Sequence, residues 1–212
     1  MSKTKVRTIQ RIAALLVGAA LAGVVAFGCS PSGGDSSPTS GVSDTASPGS
    51  GEANLEEQML NNGIAQAEQG RYDDAVATFT ALLALNPESQ YALYNLGLIA
   101  YMRGDLEQAV SYYDRALAID PTWTSAMYNK AIALETLNPE QAIDLYEQIV
   151  VIDPEASTAF WRLSFLLEAA GDTERAQSTF QQAIDLDPSL ETMDPPERPS
   201  SEEPADGDGE GQ

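Results

Sequence analysis

The chain offers little from which to build a reaction. Its 212 residues include one cysteine, Cys29, no histidine, and 32 Asp and Glu against 11 Lys and Arg. Without histidine, the commonest general base and the commonest transition-metal ligand are both missing. A single cysteine forms neither an internal disulfide nor a CxxC metal site. No nucleophile–base pair, metal-ligand cluster or phosphate-binding glycine loop occurs, and carboxylate pairs are too common among 32 acids to mark an acid–base site. The sequence therefore predicts no catalytic residue, no metal, no cofactor and no small-molecule substrate.

The chemistry open to Cys29 is set by what precedes it. Lys3, Lys5, Arg7 and Arg11 make a basic start, and Ile12 to Phe27 is a run of sixteen uncharged residues. A basic region, an apolar region and a small-residue site form the layout of a secretory signal. The run is shorter than the roughly 20 apolar residues of a comfortable membrane span. Ala26-Phe27-Gly28-Cys29 resembles the lipobox of bacterial lipoprotein signal peptides, in which a small residue precedes cysteine. Gly28 fits; Ala26 stands where leucine is usual and Phe27 where alanine or serine is usual. The resemblance implies that residues 1–28 are removed and that Cys29 carries lipid as the new N-terminus. Several acyl chains on one residue, at about 0.8 kcal/mol per buried CH2, anchor stably. An uncut signal anchor and cleavage without lipid are the alternatives. All three place the rest of the chain outside the cytoplasmic membrane, with the basic flank inside.

Two segments lack the residues to bury themselves. Residues 29–55 are rich in Ser, Gly, Pro and Thr, and are expected to form a flexible linker. As a coil, its 25 residues Ser30 to Asn54 reach roughly 25–30 Å. Residues 191–212 hold eight acids and one base, Arg198, and are expected to be a solvated acidic tail, or a lure for a basic partner. After Cys29 there are 7 basic against 32 acidic residues. Such a surface repels phosphate backbones, so no nucleic-acid partner is predicted.

Between these segments a pattern recurs. Asn86-Pro87, Asp120-Pro121, Asp153-Pro154 and Asp187-Pro188 place proline at intervals of 34, 33 and 34 residues. Each follows a stretch with helical apolar spacing, and each unit is broken midway, at Gly70-Arg71, Gly104-Asp105, Asn138-Pro139 and Gly171-Asp172. The units read as helix, turn, helix: 56–89, 90–123, 124–156 and 157–190, the third one residue short at its turn. A fixed period of this size marks a helical repeat.

At these residues the chain resembles the tetratricopeptide repeat family, over 135 of its 212 residues. The first unit carries Gly63, Ala75, Phe79 and Pro87; the second Gly97, Ala109, Tyr113, Ala116 and Pro121. The third carries Ala131, Ala142, Tyr146 and Pro154; the fourth Leu163, Ala176, Phe180, Ala183 and Pro188. Asn62, Lys130 and Ser164 depart from the pattern, as do Leu82 and Ile149. The resemblance implies an all-α, right-handed superhelical α-solenoid of four helix-turn-helix repeats. Small residues let the paired helices approach, and the aromatic residue of each second helix fills the gap to the next unit. Nothing after Pro188 is long or periodic enough for a closing helix, so the outer face of the last pair, Phe180 and Ile184, is expected to be partly open or covered by a partner.

In the family's phase the first helices line a concave groove. Its sixth positions are Asn61, Asn95, Asn129 and Arg162, and its fifth positions Leu60, Tyr94, Tyr128 and Trp161. Beside them fall Ile64, Leu98, Ile132 and Phe165, with Tyr91 and Tyr101 in the second unit. Asparagine carries both donor and acceptor, so a row of them can hold an extended peptide by its backbone. The row is similar to the asparagine ladder of the O-linked N-acetylglucosamine transferase repeats. Alternatively, the asparagines bond to neighbouring helices or water, and Arg162 pairs with Glu135 or Glu168 rather than with a ligand carboxylate. The expected function is a membrane-anchored scaffold that binds an extended segment of another protein, for envelope assembly or secretion. A pilotin-like factor for a secretin or pilus, and a structural oligomer, are the alternatives.

Overall fold

The computed structural model describes residues 48–196. The signal segment, the lipobox with Cys29, most of the linker and most of the acidic tail lie outside the described residues. Among the described residues are eight α-helices and no strand: α1 (Pro48–Glu68), α2 (Tyr72–Leu85), α3 (Gln90–Arg103), α4 (Leu106–Ile119), α5 (Thr124–Leu137), α6 (Pro139–Ile152), α7 (Ser157–Ala169) and α8 (Thr173–Leu186). A 3-10 turn, Pro188–Thr192, follows. Two compact units are formed, one ending at Arg103 and the other starting at Gly104. The predicted all-α class of helix-turn-helix repeats is the one observed.

The turns follow from their residues. Asn86, Asp120, Asp153 and Asp187 share one extended backbone conformation, with φ −130, −129, −126 and −139° and ψ 94, 95, 91 and 95°. A following proline excludes the helical region for the residue before it, which stops each second helix there. The Oδ1 of each accepts the N–H two residues on, of Glu88, Thr122, Glu155 and Ser189, at 3.0–3.1 Å. One Asx-type turn thus recurs four times.

The midway turns use glycine where φ must be positive: 74° at Gly70, 86° at Gly104 and 87° at Gly171. At Gly70 its N–H donates to the Ala67 carbonyl and that of Arg71 to the Gln66 carbonyl, both at 2.9 Å. These are the paired bonds that close a helix on a left-handed residue. The third unit is a residue shorter and uses no glycine. Instead Asn138 accepts the Gln141 N–H at 3.1 Å and Pro139 opens α6, a position where proline's missing N–H costs nothing.

The second helices bury one stripe each. Ala75, Phe79 and Leu82 on α2, Ala109, Tyr113 and Ala116 on α4, and Ala142, Tyr146 and Ile149 on α6 recur at i, i+4 and i+7. In the second unit α5 lies between α4 and α6, and it is accordingly buried on several faces, at Ala126, Met127, Asn129, Ala131, Ile132, Ala133 and Leu134.

Two boundaries differ from the sequence reading. Helix α1 begins at Pro48, inside the segment 29–55 expected to be linker. Proline is well placed as a first helical residue, and from Glu52 onward Gly and Ser give way to helix formers. At the other end, the region around 191 expected to open the tail is ordered. The 3-10 turn packs on α8 and buries Leu190 beside Trp161 and Ala183. No helix among the described residues is long and apolar enough to cross a membrane.

At Gly63, α1 comes up against the Phe79 ring of α2. A Cβ there would lie 2.5 Å from Cε1 of Phe79, a fully buried ring. Gly63→Ala is therefore expected to destabilise the protein by about 1–3 kcal/mol, lowering the thermal midpoint by several degrees in a circular-dichroism melt. An unchanged midpoint would contradict this close approach.

Candidate functional site

In the first unit the candidate surface is carried by α1 and α3, which touch. Asn61 is exposed, while Leu60, Asn95 and Leu98 are half-buried. Tyr91 is 52% exposed, and Tyr94 is buried. Asn95 donates one amide N–H to the Tyr91 carbonyl at 2.7 Å, a turn earlier on α3. That bond fixes the side chain against its own helix and uses one of the amide's two N–H groups.

In the second unit the same register lies deeper. Asn129 is buried and donates to the Ser125 carbonyl at 3.0 Å. Ile132 and Trp161 are buried as well, whereas Tyr128, Arg162 and Phe165 are half-buried. Depth thus separates residues that share a helical position. Tyr94, Ile132 and Trp161 are buried, and the polar and aromatic members of the rows that keep access to solvent are Asn61, Tyr91, Asn95, Tyr101, Tyr128, Arg162 and Phe165, beside half-buried Leu60, Ile64 and Leu98.

Arg162 is engaged within the protein. Its Nη1 donates to both carboxylate oxygens of Glu135, at 2.8 and 2.9 Å, and its Nε to the Tyr128 hydroxyl at 3.2 Å. The Tyr146 hydroxyl donates to Glu135 Oε1 at 2.7 Å, and its ring meets that of Tyr128 edge-on at 5.8 Å. The guanidinium and carboxylate side chains are 16% and 14% exposed. Burial alone would lower the pKa of Arg162, but Tyr146, Glu135 and Tyr128 together hold it above its ordinary value. Burial, then the Glu135 charge, pushes the Tyr146 hydroxyl well above the ordinary tyrosine range. The pairing of Arg162 with Glu135 is one of the two alternatives left open by the sequence. The role of Tyr146 was missed; its signal is a hydroxyl at the ring position where the first and fourth repeats have Phe79 and Phe180.

At the end of α7 the aromatic rings run in series. Trp161 meets Phe165 edge-on at 5.0 Å, and Phe165 meets Phe180 edge-on at 6.2 Å. Beside them opens a cleft of about 430 Å³, lined from α7, α8 and the segment that follows. The described residues contain no group of three or more side chains able to hold a metal ion.

Repeated helical hairpins, closed by one kind of turn and joined through buried second-helix stripes, define a helical-repeat protein. The tetratricopeptide repeat signature matches residues 60–122 and 126–191, and the chain belongs to that family. Among curated proteins no relative matches. Solved structures of MamA are similar in fold. A MamA RS-1 ArsTM double mutant gives a TM-score of 0.60 at 26% identity, covering 66% of this chain and 79% of that one. A crystal structure of MamA gives 0.60 at 22% identity, covering 68% and 85%. MamA 41-end from Desulfovibrio magneticus RS-1 gives 0.58 at 20% identity, covering 89% and 98%. The fold is that of a protein-interaction scaffold.

Glu135→Ala leaves the Arg162 guanidinium half-buried and unpaired, and is expected to cost about 3 kcal/mol in urea unfolding. Glu135→Ala with Arg162→Ala is expected to cost less than the sum of the two single changes. Tyr146→Phe is expected to cost about 1 kcal/mol and to flatten the alkaline limb of stability. The hydroxyl's folded pKa is raised above the unfolded value of 10.0. Its contribution is therefore complete below that pH and lost as pH rises through the folded value. An equally steep alkaline loss in the Phe variant would exclude Tyr146 as its source.

Proposed function

We propose that this protein is an exported, lipid-anchored scaffold that holds an extended segment of another protein against α1 and α3. The observation that carries the groove reading is Tyr91, largely exposed on α3 one turn before Asn95, on a helix that touches the one bearing exposed Asn61. An amide side chain offers a backbone both donor and acceptor, and an exposed tyrosine adds apolar contact at low entropic cost. In this reading the chain catalyses nothing.

The partner is basic or neutral. Among the described residues Arg71, Arg103, Lys130, Arg162 and Arg175 are each ion-paired, and Arg115 lies over the Tyr112 ring at 6.0 Å. The acids far outnumber these cations, so the surface field is negative and steers cationic partners toward it. The anchor rests on the lipobox-like Ala26-Phe27-Gly28-Cys29. It supports a domain working at a membrane outside the cytoplasm, in envelope assembly or secretion.

Each part has its own measurement. Labelled palmitate is expected on the wild-type protein and lost from Cys29→Ser; retained label would refute lipidation at that residue. Crosslinking in native envelopes, followed by mass spectrometry, is expected to yield a partner whose recovery falls roughly tenfold, the scale of a modest hot spot, with Tyr91→Ala plus Asn95→Ala. An identical set of crosslinks in that variant would sink the groove mechanism.

A further inference from the structure

We infer that the C-terminal end of the repeats carries a second docking site: the cleft between α7, α8 and the segment after Pro188 takes a bulky apolar side chain flanked by Lys or Arg from another protein. The starting point is one ring position followed along the chain. Phe79, Tyr113 and Tyr146 are fully buried on α2, α4 and α6. Phe180, at the same position on α8, is only half-buried. No described helix follows α8, and the 3-10 turn covers the neighbouring surface instead, with Leu190 against Trp161 and Ala183.

What stays open is the cleft of about 430 Å³. Among its lining residues Ser164 and Ala176 are small and buried, 3% and 4% exposed, while Phe165 and Phe180 stand edge-to-face. Small buried residues beside two aromatic rings make a slot for one large apolar group. Met193 adds an adaptable apolar contact and is 52% exposed.

The charge on this cleft is of one sign. Glu168 and Glu191 line it, both exposed, and none of its lining residues is basic. Arg175 precedes Ala176, but its guanidinium is engaged with Glu147 and Asp172. An apolar slot with acidic residues beside it favours an anchor with Lys or Arg next to it. The same negative field disfavours a second copy of this chain as the occupant. The cleft shares Phe165 with the groove rows but none of Asn61, Tyr91 and Asn95, on which the groove reading rests.

The test is selection of short random peptides, displayed on phage, against the immobilised full chain, with each winner resynthesised and measured by fluorescence anisotropy. Winners are expected to share a bulky apolar residue within two positions of Lys or Arg. Their affinity is expected to fall at least roughly tenfold with Gln177→Trp, which fills the cleft from an exposed position, and with Glu168→Lys plus Glu191→Lys. It is expected to weaken with salt and to be unchanged by Tyr91→Ala plus Asn95→Ala. Winners without a basic residue, or affinities untouched by both cleft variants, would overturn the proposal. So would self-association of the chain, seen in sedimentation and abolished by the cleft variants, since it would assign the cleft to a second copy.

Discussion

A pair of helices joined by a short turn cannot bury its own apolar face, and every feature of this structure answers to that constraint. The stripe of each second helix, spaced i, i+4, i+7, needs another helix over it. Ala75 and Ala142 are buried on their stripes, and the rings four residues on, Phe79 and Tyr146, fill the space against the neighbouring helices. At Gly63 the approach leaves no room even for a methyl group. Stability is therefore a property of neighbours, and among the described residues the short turn around Leu190 covers part of the last hairpin's face.

The Arg162 network adds a different kind of bond to this packing. Glu135 sits on α5, Tyr146 on α6 and Arg162 on α7, so one carboxylate joins three consecutive helices. A buried ion pair gains little net energy once desolvation is counted. Its strength lies in geometry: one guanidinium nitrogen and a phenol reach the same carboxylate only in one register of the three helices. Apolar stripes alone tolerate small slips; this arrangement does not.

Much of the fold was legible because the relevant chemistry is local. The four Asx–Pro pairs stop helices through sterics between adjacent residues, and glycine at the midway turns supplies a backbone conformation that other residues resist. The missing glycine at Asn138-Pro139 correctly marked the shorter turn. The candidate site was legible in register and not in depth. Asn61, Asn95 and Asn129 occupy one repeat position yet are exposed, half-buried and buried in turn. Periodicity tells which way a residue faces around its own helix, but solvent access depends on what other helices bring over it. Tyr94, Ile132 and Trp161, expected to line the groove, are buried for that reason. The start of α1 and the 3-10 turn escaped because both are short, and tertiary contact rather than periodicity holds the latter in place.

The four Asx–Pro turns have one further consequence. Since the backbone enters each proline in the same conformation, a chain cut at one such turn and rejoined at another meets an identical joint. A whole unit can be duplicated or deleted in the gene without creating a new turn. The joints thus make the length of the array a quantity that inheritance can change in steps of one repeat, while the packing of every remaining hairpin is left to its immediate neighbours.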